Sequence, residues 1–197
     1  TENLGSAQCK SAMMIAALRA KGKTELKCLP SRNHTEIMFK NVFKIPIKVK
    51  KEKDYDIIKV RGINEFKGFN YKIPGDISSA SFFIVLTLLS KKNSLLIKNI
   101  NINPSRTGIL KILNIMGAQI RIFKKKYYKG EQMADLLIKS NKNLKAINLS
   151  PKLNSSAIDE FLLIFLVASV SKGISTFKNL SELNKKESKR LDLGIKI

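Results

Sequence analysis

The sequence predicts an α/β fold made of repeated units of helix, strand, helix and strands, with buried helices and outer sheets. Three observations carry this reading. The small-residue groups Ser6-Ala7, Ser78-Ser79-Ala80 and Ser155-Ser156-Ala157 recur at intervals of 72 and 77 residues, too long for a solenoid repeat and suited to a duplicated α/β unit. Each group precedes an apolar helical run, and each run is followed by a turn and a β-prone segment. The second and third runs are apolar nearly all round, a pattern that calls for burial on several faces.

The elements follow in order. Residues 13–18 form the first apolar run, Lys21-Gly22-Lys23 the turn, residues 24–29 the β-prone segment, and residues 31–35 open a second helix. Pro74-Gly75 is a turn dipeptide between Tyr71-Lys72-Ile73 and a new helix start. It divides the chain into residues 1–73 and 74–197. The middle unit then repeats the pattern: residues 82–89, the turn Lys91-Lys92-Asn93, residues 94–99, and residues 105–107 at the start of a helix. Met116-Gly117-Ala118 supplies a glycine C-terminal cap, and residues 119–123 are the strand after it. The third unit comprises residues 161–170, the turn Lys172-Gly173, residues 174–179, and a helix opened by residues 186–190.

At 197 residues and 44% hydrophobic content, the chain can bury a core for one large or two small domains. The net charge of +22 invites a nucleic-acid reading. The excess is almost all lysine, 31 Lys against 6 Arg, spread along the chain with abundant Ile and Asn. An AT-rich genome produces that combination without selection for a partner, whereas nucleic-acid sites favour arginine forks and aromatic platforms. No nucleic-acid partner is therefore expected, although positive potential would help collect an anionic substrate. Cys9 and Cys28 form no metal-ligand spacing, and a single histidine, His34, argues against a histidine-based zinc site. The apolar run at residues 161–170 is far shorter than the ~18 to 20 residues needed to span a bilayer. Residues 11–18 resemble a short signal core, but Arg19 and Lys21 stand where a small-residue cleavage site belongs.

Several residues invite chemistry. A helix N-terminus presents unpaired N–H groups, and small side chains there let an oxyanion approach. Ser6-Ala7-Gln8 fits that description, and Ser6 fits equally a simple N-cap. Ser156-Ala157-Ile158-Asp159 has capping-box spacing, so the Asp159 carboxylate is either a backbone acceptor or a functional base. Lys186, Glu187 and Arg190 share one face if they lie on a helix, as a functional cluster or as a solvated charged surface. Arg32 and His34 fall at a helix start.

Five segments in order resemble the 5-enolpyruvylshikimate-3-phosphate synthase family: residues 5–12 (Gly-Ser-Ala-Gln-Cys-Lys-Ser-Ala), 30–36 (Pro-Ser-Arg-Asn-His-Thr-Glu), 74–80 (Pro-Gly-Asp-Ile-Ser-Ser-Ala), 103–108 (Asn-Pro-Ser-Arg-Thr-Gly) and 182–191 (Glu-Leu-Asn-Lys-Lys-Glu-Ser-Lys-Arg-Leu). The resemblance implies the enolpyruvyl transferase fold: two domains around a cleft, each of three βαβαββ units about a pseudo-threefold axis. Residues 1–73 would end the first domain and 74–197 would supply about two units of the second. It further implies transfer of the enolpyruvyl group of phosphoenolpyruvate to the 5-hydroxyl of shikimate 3-phosphate, by a cytoplasmic monomer without metal or organic cofactor.

By that resemblance Ser6, Ala7 and Gln8 contact shikimate 3-phosphate, with Gln8 also reaching phosphoenolpyruvate, and Arg32 lies near the shikimate phosphate. Asp159 accepts the hydroxyl proton, Lys186 binds shikimate 3-phosphate, Arg190 binds the phosphoenolpyruvate carboxylate, and Glu187 moves a proton at the enolpyruvyl carbon. Two positions depart from the family pattern: Phe161-Leu162-Leu163 replaces a usual proline after Asp159-Glu160, and Lys189 stands where Asp is usual. The family's early Lys-Ser…Arg segment, its Gly-rich Arg segment and its late Arg and Lys have no counterpart. The chain thus reads as an internal piece, with no enolpyruvyl transfer expected from it alone. The rival readings are a UDP-N-acetylglucosamine enolpyruvyl transferase and a lysine-rich nucleic-acid-binding protein.

Overall fold

The computed structural model describes residues 1–194 apart from positions 64, 66, 186 and 187. The backbone divides into two compact units. Thr1–Lys72 with Tyr127–Glu131 forms the first, and Ile73–Lys126 with the chain from Gln132 onward forms the second.

The first unit runs α1 (Ala7–Ala17), β1 (Lys23–Cys28), α2 (His34–Asn41), β2 (Ile47–Lys51) and β3 (Asp56–Arg61). Ser6 starts α1 by accepting a hydrogen bond from the Cys9 N–H at 3.2 Å. Gly22, at φ +86°, makes the turn into β1. The sheet order is β1-β3-β2 with both pairings antiparallel, so the last strand enters between the other two. Strict alternation along β3 turns Ile58 and Val60 inward and Lys59 and Arg61 outward. Those inward residues pack with Met14, Ala17, Leu26, Cys28, Phe39 and Ile45. Cys28 is buried against the Asp56 carbonyl, and that burial pushes its thiol above the usual range.

The second unit repeats the topology with α3 (Ile77–Leu89), β4 (Ser94–Asn101), α4 (Gly108–Ile115), β5 (Gln119–Tyr128) and β6 (Glu131–Lys139), in the order β4-β6-β5. The glycine cap after α4 is present as expected. Gly117 adopts φ +92°, its N–H bonds to the Asn114 carbonyl, and the Ala118 N–H reaches back to the Leu113 carbonyl, which together form a Schellman motif. A bulge breaks β4 between Ile97 and Ile100, where Asn99 takes φ +56° and its N–H bonds Asp135 Oδ1.

The third repeat is only partly realised. α5 (Phe161–Ser169) and the short α6 (Arg190–Gly194) are helical. The expected strand at residues 174–179 is instead an extended segment joined to residues 145–149 by isolated parallel bridges, Lys145 with Lys172 and Asn148 with Thr176. It ends on an asparagine with positive φ, Asn179 at +59°, the conformation that Asn99 takes in the β4 bulge.

The expectation of helices buried on several faces is corrected for α3. α3 buries Ile77, Ala80, Ser81, Ile84, Val85, Thr87 and Leu88, but leaves Phe82, Phe83 and Leu86 exposed. α5 likewise buries Phe161, Ile164 and Val167 while Leu166 is partly uncovered. α3 thus meets the core along a single stripe, whereas α5 also packs Leu163, Phe165 and Ala168 against it. No helix of the described residues is long and apolar enough to cross a membrane.

Candidate functional site

In the first unit the heads of α1 and α2 are tied together. Glu2 is buried, and its carboxylate accepts hydrogen bonds from the N–H groups of Leu4, Gly5 and Ser6 at 2.7, 3.1 and 3.2 Å, which fixes the loop entering α1. Ala7 and Gln8 are the first two residues of the helix. Lys10, on the same helix, has its side chain fully buried. Its Nζ donates to the Arg32 carbonyl at 2.7 Å and pairs with Glu36 Oε1 at 2.7 Å. Ser11 and Thr35 share a hydroxyl hydrogen bond at 2.5 Å.

Two helix N-termini, each with unpaired N–H groups, are thereby held side by side next to Ser31-Arg32-Asn33. The Ser31 hydroxyl and Glu36 Oε2 are enclosed and meet no hydrogen-bond partner among the described residues. Sequence reading missed Lys10, Ser31 and Glu36. Lys10 was recoverable from spacing, since it precedes buried Met14 and Ala17 by four and seven residues and so lies on the inward stripe. His34 is engaged with a carboxylate, its Nδ1 lying 2.5 Å from Glu131 Oε1.

In the second unit Asp159 sits in a 3-10 turn, Ile158–Glu160, that leads directly into α5. Of the two readings of Asp159, the described contacts do not show the capping box. Ser156 Oγ donates to the Leu153 carbonyl at 3.0 Å, and neither the 3-10 turn nor α5 has a side-chain cap. Asp159 instead accepts from Arg190 Nη1 at 3.2 Å, with both side chains about a quarter exposed. Asn184, which sequence reading also missed, positions Arg190 by accepting from the Leu191 N–H at 3.0 Å and donating to Asp192 Oδ1 at 2.8 Å.

The helix carrying Arg190 begins at that residue, and Ser188 and Lys189 before it are not helical. The expectation that Lys186, Glu187 and Arg190 share one helical face falls on Lys186 and Glu187, which lie outside the described residues.

Behind Asp159 lies a chain of polar contacts. Glu160 is buried and accepts from the Ser78 hydroxyl. That hydroxyl accepts from Arg106 Nη2 at 2.6 Å, and Arg106 Nη2 also donates to Asp76 Oδ1 at 2.8 Å. Asp76 caps α3 through the N–H and hydroxyl of Ser79 at 2.9 and 3.0 Å. Partial burial raises the Asp76 carboxyl, but the Ser79 hydrogen bonds and the Arg106 guanidinium outweigh it and hold the group below its ordinary value. Gly108 completes the arrangement. Its N–H bonds the Ser156 carbonyl at 3.0 Å, and a Cβ there would fall within 2.8 Å of Ser156 and Ala157. The segments at 74–80 and 103–108 therefore brace the Asp159 turn, and 103–108 does more than shape a helix start. Among the described residues no group of three His, Cys, Asp or Glu side chains gathers to hold a metal ion.

The family model "EPSP synthase (3-phosphoshikimate 1-carboxyvinyltransferase)" matches residues 2–195. A curated relative from Petrotoga mobilis, a 3-phosphoshikimate 1-carboxyvinyltransferase, is 43% identical over 190 residues, covering 95% of this chain and 43% of its own length. The solved EPSP synthase of Acinetobacter baumannii superimposes with a TM-score of 0.83 at 34% identity, over 97% of this chain and 42% of that one. The enolpyruvyl transferase NikO from Streptomyces tendae shares the fold, with a TM-score of 0.60 at 13% identity over 82% of this chain and 36% of its own. The chain thus spans about two-fifths of the length of the curated relatives it matches.

Two outcomes are expected from the contacts described. Lys10→Ala leaves Glu36 buried without its partner and should lower unfolding stability by about 3–5 kcal/mol, whereas the paired change Lys10→Met with Glu36→Leu should cost far less. Urea unfolding of the three proteins checks this. Asp76→Ala removes the α3 cap and should cost roughly 0.5–2 kcal/mol near neutral pH. Because the folded carboxyl is held below its unfolded value, its contribution is fully present above the unfolded value and fades as pH falls through the folded one. The wild-type and Asp76→Ala melting temperatures should therefore converge in acid.

Proposed function

The chain belongs to the EPSP synthase family, and from that premise we propose that its residues serve transfer of the enolpyruvyl group of phosphoenolpyruvate to the 5-hydroxyl of shikimate 3-phosphate, releasing phosphate. The observation that carries the proposal is the Asp159–Arg190 pair. A carboxylate and a guanidinium from segments 31 residues apart are set together and partly open to solvent. In this reading residues 1–73 are the last part of one domain and 74–197 about two units of another, acting in a cytoplasmic monomer.

The roles follow from the chemistry. The shikimate 5-hydroxyl attacks C2 of phosphoenolpyruvate and gives its proton to Asp159, while C3 is protonated with Glu187 in the proton path. The tetrahedral intermediate then loses the C3 proton and phosphate. General acid–base steps of this kind need a placed carboxylate. Arg190 supplies a guanidinium fork of the kind that binds a substrate carboxylate. Ser6, Ala7 and Gln8 at the head of α1, with Arg32 at the head of α2 and Lys186, bind shikimate 3-phosphate. The enclosed Ser31 hydroxyl supports adding that residue, because a buried donor without a protein partner is satisfied by an oxyanion held against two helix N-termini. Prearranged donors supply most of the charge stabilisation, so no metal enters the proposal.

A chimera in which residues 2–195 replace the matched stretch of the Petrotoga mobilis enzyme provides the test. Asp159→Asn and Glu187→Gln should lower turnover by ~10²-fold or more with modest change in substrate binding. Lys186→Ala should raise KM for shikimate 3-phosphate and Arg190→Ala that for phosphoenolpyruvate, each with loss of turnover. Unchanged turnover in Asp159→Asn would remove the assignment of the base. A nucleic-acid binder would instead respond alike to loss of any few lysines, with steep salt dependence and no penalty from the carboxylate changes.

A further inference from the structure

The outward face of the first sheet is cationic on all three strands. Lys23 and Lys27 of β1, Lys48 and Lys50 of β2, and Lys59 and Arg61 of β3 point away from the core, with Glu25 and Ile57 as the other outward residues. Among the described residues, Glu25 pairs with Lys59 at 2.8 Å and Glu52 with Lys50 at 2.6 Å. Lys23 stands directly opposite Arg61, and Lys48 opposite Lys59. Like charges set opposite each other on one face of an antiparallel pair destabilise the sheet. Drift toward lysine does not account for this face, because the second sheet serves as an internal control. Both sheets have the same strand topology and the same starting register, Lys23 with Arg61 in one and Ser94 with Lys139 in the other. The next outward pair is Glu25 with Lys59 in the first sheet and Leu96 with Leu137 in the second, where Leu96 is 44% exposed. One composition and one topology thus left apolar residues outward in one sheet and charged ones in the other.

All of these cations but Lys27 line a depression of about 780 Å³, together with Ile57. Along a strand they recur at every second residue, a spacing of ~6.4–6.8 Å, and adjacent strands lie ~4.7–4.9 Å apart. An extended polypeptide has the same two-residue repeat, so carboxylates at its alternate positions meet the cations in register. We propose that the outward face of the β1-β3-β2 sheet is an interaction surface for an extended acidic polypeptide segment, with Asp or Glu at alternate positions. Nucleic acid fits the face less well, because it is recognised by arginine forks and aromatic platforms. Arg61 is the arginine of this face, and the neighbouring Tyr55 ring is occupied by Lys27, whose Nζ lies 4.0 Å from its centroid. A lysine surface of this kind gives fast, salt-sensitive association. The inference stands apart from the catalytic roles proposed above, because none of these residues belongs to them.

Fluorescence anisotropy of a labelled peptide of alternating glutamate and serine, titrated with the full chain at ~50 mM salt, provides the test. Saturable binding is expected, weakened about tenfold by Lys48→Glu with Arg61→Glu and lost as salt is raised. Lys98→Glu with Lys139→Glu makes the same change of charge on the second sheet and should alter the affinity less than about twofold, because the peptide is held by local contacts and not by net charge. All four positions are exposed, so circular dichroism should report unaltered folding. If a reversal fails to fold, Lys48→Gln with Arg61→Gln reads the same face. The chimera with the Petrotoga mobilis enzyme carries the same sheet and should bind alike. Absence of saturable binding, equal losses from the two paired variants, binding by the chain but not by the chimera, or tighter binding of an RNA oligonucleotide or inorganic polyphosphate than of the peptide would each overturn the proposal.

Discussion

The first unit depends on one buried charge. Lys10 is fully enclosed, and its ammonium has two oxygen partners, Glu36 on α2 and the carbonyl of Arg32 ahead of α2. An ammonium removed from water at this depth is tolerable only while both partners stay in place. The ion pair therefore acts as a gauge block between the two helix heads. Because it fixes Arg32 relative to α1, it also sets where the Ser31 hydroxyl and the Ser6-Ala7-Gln8 turn stand with respect to each other. Replacement by apolar side chains could leave such a unit as stable while losing that registration.

The second unit reaches the same end by a relay of hydrogen bonds. Asp76, Arg106, Ser78 and Glu160 come from the α3 head, the α4 approach and the 3-10 turn, and each is held by the next. The turn that presents Asp159 is thus braced from behind by two segments distant in sequence. In a chain with 37 basic and 15 acidic residues, the acids are the informative charges. Glu2 orders the loop into α1, Glu36 holds Lys10, Asp76 caps α3, and Asp159 engages Arg190. Each of these carboxylates has a geometric assignment.

The repeat was legible in the sequence because it leaves small residues, an apolar run and a turn at the same phase each time, and the two sheets with order β1-β3-β2 and β4-β6-β5 follow that phase. The third unit read as regular for the same reason, yet residues 174–179 form only bridges. Periodicity registers β-propensity, not the presence of a neighbouring strand to complete a ladder. A better marker was overlooked: Lys98-Asn99 and Lys178-Asn179 end the corresponding segments with asparagine at positive φ, which asparagine tolerates better than most residues. At the site, the Asp159–Arg190 partnership agrees with the residues singled out by motif. The motif did not reveal the Ser78–Glu160 contact or the Lys10–Glu36 pair, because both depend on elements meeting across 82 and 26 residues of chain. The all-round apolar pattern of α5 matches packing on several sides, whereas in α3 the same pattern leaves Phe82, Phe83 and Leu86 exposed, because an apolar pattern records what a helix requires and not which neighbours are present.

The two cysteines sit in opposite settings. Cys9 is exposed in the first turn of α1, three residues from Ser6, while Cys28 is enclosed at the end of β1 with its thiol pushed upward. Thiolate, not thiol, is the reactive form, so burial and a raised pKa both protect Cys28. Alkylation in the folded state would mark Cys9 alone, and modification of Cys28 would have to wait for β1 to separate from α1 and β3. The pair therefore provides an internal clock: the lag between the first and second label reports how often the first unit opens, without any engineered probe.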